Sequence, residues 1–131
     1  MRPAAALLCF ALLAGCAGSD RTAAPDADVV TAFDVTDYLR TEGYPLTQIG
    51  LTRPLFSGAV GTAYEVANGE LHLYEFDSEA DARGRVGQVT ARALGAGPVS
   101  VYQRGRLVVA YFGASLSVES ALTQALGPRA L

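Results

Sequence analysis

The sequence predicts an α+β fold: a mostly antiparallel sheet of about five strands with three short helices packed on one face, in the order α-β-β-β-α-β-β-α. Three observations carry this. Apolar, β-rich runs come in pairs joined by tight turns, which makes neighbouring strands antiparallel. Three other segments open on a capping residue and repeat apolar residues every three or four positions, as helices do. The apolar stripes of those helices are one-sided, which suits covering a sheet.

The first helix is expected over Val35–Glu42 with Asp34 as N-cap, a start as early as Val29 being open. Phe33 and Tyr38 are placed to form a hydrophobic staple, Val35, Tyr38 and Leu39 share a face, and Gly43 offers a left-handed stop. Leu46–Leu51 alternates as a strand does, and Arg53-Pro54 breaks it. Gly61–Ala67 and Glu70–Phe76 flank Asn68-Gly69, the pair favoured in type I′ hairpin turns. That turn sets Val66 opposite Leu71 and Tyr64 opposite Leu73 on one face, and Glu65 opposite His72 and Ala63 opposite Tyr74 on the other.

Ser78 is the expected cap of the second helix, with Glu79 and Asp81 in the first turn, where the helix dipole favours them. Ala82, Val86, Val89 and Ala93 form its stripe, Gly84 and Gly87 each weaken it by roughly 1 kcal/mol relative to Ala, and Gly95–Pro98 ends it. Val99–Gln103 and Arg106–Phe112 form a second hairpin across Arg104-Gly105; both strands are apolar on both faces, which predicts a central place in the sheet. Ser115 or Ser117 caps the last helix, Val118, Ala121, Leu122 and Ala125 point inward, and Gly127-Pro128 stops it.

The N-terminus has its own pattern. Arg2 precedes the apolar run Ala4–Leu13, which is too short to span a bilayer as a helix. Leu13-Ala14-Gly15-Cys16 follows and closely resembles the lipobox of bacterial lipoproteins. In that family the cysteine thiol takes a diacylglycerol and the peptide bond before it is cut. The resemblance implies a signal peptide over residues 1–15, a flexible tether over 16–28 from lipidated Cys16, and a single domain over 29–131. Gly18–Ala27, small and polar with one proline, suits the tether. Removing the first 15 of 131 residues leaves 116, and losing Arg2 takes the formal charge from −3 to −4. Cys9 leaves with the signal peptide and Cys16 becomes a thioether, so no thiol remains for a disulfide, a redox motif or a nucleophile. The expected location is the cell envelope, anchored outside the cytoplasmic membrane. Ala17, in place of the Asp that favours inner-membrane retention, points to the outer membrane if the host has one.

From Val35 onward the chain also resembles a group of small bacterial secreted or lipid-anchored proteins. The likeness rests on Leu39 to Gly43, on Leu71-His72-Leu73-Tyr74-Glu75-Phe76, on the acidic, Ala-rich second helix, on Val101 to Gly113, and on Leu122 to Gly127. Many members carry Pro-His where this chain has Ser100 and Val101, so no role of that histidine carries over. The group has no established activity; the resemblance implies fold and compartment only.

The residues argue against familiar chemistries. His72 is the only histidine, and without a second one or a thiol a His-based zinc site cannot be assembled. All ten basic residues are Arg, which removes Schiff-base, Ser-Lys and P-loop lysine chemistry. No catalytic residue, metal or cofactor is expected. A negative domain without an Arg–aromatic cluster is not expected to bind nucleic acid. Glu65 and His72 read as a cross-strand pair on an exposed face. If the helices cover one face only and the two hairpins align, Tyr74, Tyr102 and Tyr111 with His72 and Glu65 make an open, tyrosine-bearing binding face; packing of the Tyr rings against the sheet edges is the alternative. The function expected is that of a non-enzymatic, lipid-anchored module that meets the membrane through Cys16 and binds another envelope protein. A small-molecule or glycan-binding module is the alternative, and an enzyme of unrecognised type a further one.

Overall fold

Helix α1 (Ala32–Thr41) begins three residues ahead of the expected Val35 in a computed structural model that describes residues 30–53, 55–56, 59–89 and 91–131. The signal peptide, Cys16 and the tether lie outside the described residues. The cap of α1 is Thr31 rather than Asp34. Thr31 Oγ1 accepts the Asp34 N–H (3.3 Å), and Asp34 Oδ2 accepts the Thr31 N–H (2.7 Å). This reciprocal capping box makes Asp34 the third helical residue. Phe33 is thereby drawn into the helix and left 71 % exposed, so the staple is not Phe33–Tyr38. Val30 and Val35 take that part, both buried in one cluster. Gly43 does stop the helix: its φ is +91°, and the N–H groups of Tyr44 and Gly43 return to the carbonyls of Leu39 and Arg40, a Schellman motif.

The sheet contains β1 (Thr47–Leu51), β2 (Val60–Val66), β3 (Gly69–Glu75), β4 (Val99–Arg104) and β5 (Leu107–Phe112). Every neighbouring pair is antiparallel and the spatial order is β1-β2-β3-β5-β4. The α+β class, the five strands and the element order are those expected. Helix α2 (Glu79–Gln88) connects β3 to β4, and α4 (Leu116–Leu126) follows β5. Ser78 caps α2 and Ser115 caps α4. The second helix is shorter than its stripe implied: the backbone is extended at Val89 (ψ 126°), and only the four-residue turn α3 (Ala91–Leu94) follows. Ala82 and Val86 are buried, whereas Ala93 is exposed.

The first hairpin turns at Ala67-Asn68, with φ of +42° and +59°, one residue before the expected Asn68-Gly69. Positive φ at both central residues is the mark of a type I′ turn. The register is therefore offset by two: Val66 faces Gly69, Glu65 faces Glu70, Tyr64 faces Leu71 and Ala63 faces His72. An offset of two keeps each side chain on its expected face, since strand faces alternate with period two. Gly69 serves close approach instead of the turn: a Cβ there would lie 2.7 Å from the Phe112 carbonyl oxygen and 2.9 Å from Tyr111 Cε2.

The helices do not pack on one face. α1 and α4 cover the side bearing Leu71, Leu73, Tyr102, Val109 and Tyr111. α2 and Phe56 cover the side bearing Tyr74, Val101, Val108 and Ala110. The two-sided core follows from β5, where Leu107 through Tyr111 are all buried: alternate apolar residues need cover on both sides. The second hairpin closes through Gly105 (φ +55°) and Arg106, one residue later than expected. β5 is central, as expected for that hairpin, but β4 is an edge. Its outer side is occupied by the chain itself: the Ala130 N–H donates to the Val101 carbonyl (2.7 Å), and the Val101 N–H to the Leu131 carbonyl (3.1 Å).

Candidate functional site

The five residues expected on one open face are divided between two covered ones. Tyr102 and Tyr111 point toward α1 and α4, while Tyr74 and His72 lie on the opposite side. Tyr74, Tyr102 and Tyr111 are at most 1 % exposed and His72 is 2 % exposed; of the five only Glu65 reaches solvent freely. Each hydroxyl has a partner. Tyr74 donates to the Arg53 carbonyl (2.8 Å), Tyr102 donates to the Glu119 carbonyl (3.2 Å), and Tyr111 accepts the Ser115 N–H (3.4 Å). The open tyrosine platform is thus replaced by buried tyrosines on both sides of the sheet, Tyr102 and Tyr111 on one and Tyr74 on the other.

The polar cluster lies where β1 ends and the β2–β3 hairpin turns. Pairing sets Glu65 directly opposite Glu70, a like-charge contact that costs stability unless offset. Two groups offset it at Glu70. Arg53 Nη2 donates to Glu70 Oε2 at 2.9 Å, and His72 Nε2 lies 2.9 Å from the same oxygen. Glu70 and His72 are two residues apart on one strand, hence on one face. These hydrogen bonds, that of His72 first and then that of Arg53, hold the Glu70 carboxyl below the usual glutamate range.

His72 is fixed from both nitrogens. The Arg53 backbone N–H donates to Nδ1 at 3.0 Å. Nδ1 is therefore an acceptor, and the ring proton sits on Nε2, where Glu70 receives it. Burial pushes the imidazole pKa below its ordinary value, with Glu70 acting against that shift. The one ring lone pair, on Nδ1, is engaged by the Arg53 N–H and buried, so it is not presented to a substrate. The side chain instead positions the chain segment that carries Arg53.

Arg53 is held on further sides. Its Cζ lies 4.2 Å from the centroid of the Phe112 ring, a cation–π contact. The His72 ring meets the same Phe112 ring edge-on, centroids 5.0 Å apart. The guanidinium side chain is nonetheless 50 % exposed. It stands between two cavities that share Arg53, Asn68 and Phe112. One, of about 470 Å³, also holds Glu65, Glu70 and Ile49. The other, of about 420 Å³, is walled by Leu94 to Pro98 and by Gly113 and Ala114.

Arg53, Glu70 and Phe112 escaped the sequence reading. The i, i+2 spacing of Glu70 and His72 was a usable signal, but placing the turn at Asn68-Gly69 assigned Glu65 to His72 instead. Among the described residues no three His, Cys, Asp or Glu side chains gather as metal ligands. No family model, no curated protein and no solved structure matches the chain.

Proposed function

We propose that the chain is a lipid-anchored cell-envelope protein that works by binding rather than catalysis, with the cleft at Arg53 as the site of a small ligand. The observation that carries the binding reading is a half-exposed cation, fixed by Glu70, Phe112 and the His72-bound backbone, at the junction of two cavities. Both are open to solvent and the larger is lined mainly by polar groups, which suits a small polar ligand better than an apolar one. The lipobox Leu13-Ala14-Gly15-Cys16 supports anchorage outside the cytoplasmic membrane, at the outer membrane if the host has one. No described helix is long and apolar enough to cross a membrane, so the lipid on Cys16 is the proposed membrane contact. The non-enzymatic reading is supported by the commitment of both His72 nitrogens and by the absence of Lys and of any cysteine after Cys16.

One observation favours an envelope-protein partner as a second reading. β1 is a sheet edge with all five residues exposed, including Ile49 (48 %) and Leu51 (84 %), and it carries no charge to discourage strand pairing. Two measurements separate the readings. Thermal stabilisation of the mature protein by a small-molecule panel, lost in Arg53→Gln, supports the cleft. Crosslinked recovery of one specific protein, lost in Leu51→Arg but kept in Arg53→Gln, supports the β1 edge instead.

A further inference from the structure

We infer that the Arg53 cleft takes a zwitterionic ligand of the amino-acid or short-peptide class, with its carboxylate on Arg53 and its ammonium group toward Glu65. This rests on reading the cleft as a binding site, and names the ligand.

The carboxylate end follows from Arg53. A guanidinium has five N–H donors, and the contact with Glu70 engages one nitrogen, Nη2. No other acceptor among the described residues meets it. Arginine presents its donors as a planar fork that matches a carboxylate in two parallel hydrogen bonds. Here the fork is preorganised: Phe112 supports its face, and Tyr74 and His72 pin its backbone. Ordering that long side chain at binding would otherwise oppose association.

The ammonium end follows from Glu65, which lines the same 470 Å³ cavity. It is exposed and has no ion-pair partner among the described residues, whereas the Glu70 charge is met by Arg53 and by the His72 N–H. One cation and one uncompensated carboxylate in a single cavity suit a ligand of both signs. A phosphate dianion would meet Arg53 at the cost of two nearby carboxylates. The second cavity adds an uncharged wall. Leu94 and Pro98 give it apolar surface, and Gly95, Gly97 and Gly113 carry no side chain to block a peptide backbone. A short side chain or a second peptide unit fits there.

The test is calorimetric titration of the mature, lipid-bearing protein in detergent with amino acids, X-Ala dipeptides, the same dipeptides amidated at the C-terminus or acetylated at the N-terminus, and inorganic phosphate. The expected result is dipeptide binding that falls at least tenfold on amidation and in Arg53→Gln, and several-fold on acetylation and in Glu65→Gln. Arg53→Lys keeps the charge without the fork and is expected to fall between wild type and Arg53→Gln; far-ultraviolet circular dichroism confirms that each variant is folded. Equal binding of acid and amide overturns the inference, as does the absence of binding by every amino acid and dipeptide. Phosphate or another small molecule binding in an Arg53-dependent way, with no dipeptide doing so, overturns the ligand class but leaves the cleft as a site. Dipeptide binding unchanged in folded Arg53→Gln overturns the cleft itself.

Discussion

The backbone N–H of Arg53 donates to Nδ1 of His72 at 3.0 Å, so a residue with its side chain half in solvent is held by one that is almost wholly buried. The bond also fixes the imidazole tautomer, and through it the direction of the proton given to Glu70. A segment that leaves an exposed edge strand is thereby tied to the middle of the sheet.

Replacing His72 by Ala removes both bonds and leaves a hole under Phe112. The combined loss of buried hydrogen bonds and packing is expected to be about 2–4 kcal/mol, read as a lower urea midpoint with an unchanged slope. A cost under about 0.5 kcal/mol would show that the Arg53 segment is held without it.

Stability should fall with acidification from near neutrality. Burial lowers the His72 pKa in the folded chain below its ordinary 6.5, so between those two values the unfolded chain binds the proton first and folding weakens as pH drops. Glu70, also lowered in the folded state, contributes stability that is present above the ordinary glutamate range and lost as pH falls through its folded value. Both slopes have the same sign, the His72 part coming first. Urea midpoints measured from pH 8 to pH 4 should decline below about 6.5, and His72→Phe should remove the upper part of the decline. A midpoint rising between pH 7 and pH 5.5 contradicts this.

Tyr111→Ser and Tyr102→Ser are expected to destabilise the domain by about 3–5 kcal/mol each, the cost of emptying a large buried ring position. Both rings are fully buried against α1 and α4. Variants that stay as stable as wild type would return these rings to the surface.

Asn68 in the turn and Gly69 at the start of β3 should respond oppositely to conventional expectation. Gly69→Ala places a Cβ against the Phe112 carbonyl and the Tyr111 ring, and strain of this kind costs about 1–3 kcal/mol. Asn68→Gly, at φ +59°, should stay within about 0.5 kcal/mol of wild type, since glycine accepts that conformation. Thermal melts of the two variants decide it.

Local signals were readable where one residue suffices. Gly43, Ser78 and Ser115 end or begin helices as their chemistry requires, and the two hairpins are where paired apolar runs placed them. Thr31 was missed as the cap of α1 because Asp34 is itself a good capping residue, and only the reciprocal bond between them shows which one caps. The turn at Ala67-Asn68 was hidden for a tertiary reason: Gly69 is required under Tyr111, a contact some forty residues along the chain. Helix placement was likewise non-local. An apolar stripe says that a helix is covered, not which side of the sheet covers it, and α2 went to the side opposite α1 and α4. The Arg53 cluster depends on all of these together, since it needs the true hairpin register, the end of β1 and the last residue of β5 in one place.

Intact-mass and fragment analysis of the N-terminus, on the full chain expressed in a bacterium and extracted from membranes, tests anchorage most directly. The expected product is a chain beginning at Cys16 and carrying a diacylglyceryl thioether, with Cys16→Ala losing both the lipid and the membrane fraction. A chain recovered with Cys16 unmodified, or cut at another bond, would contradict it.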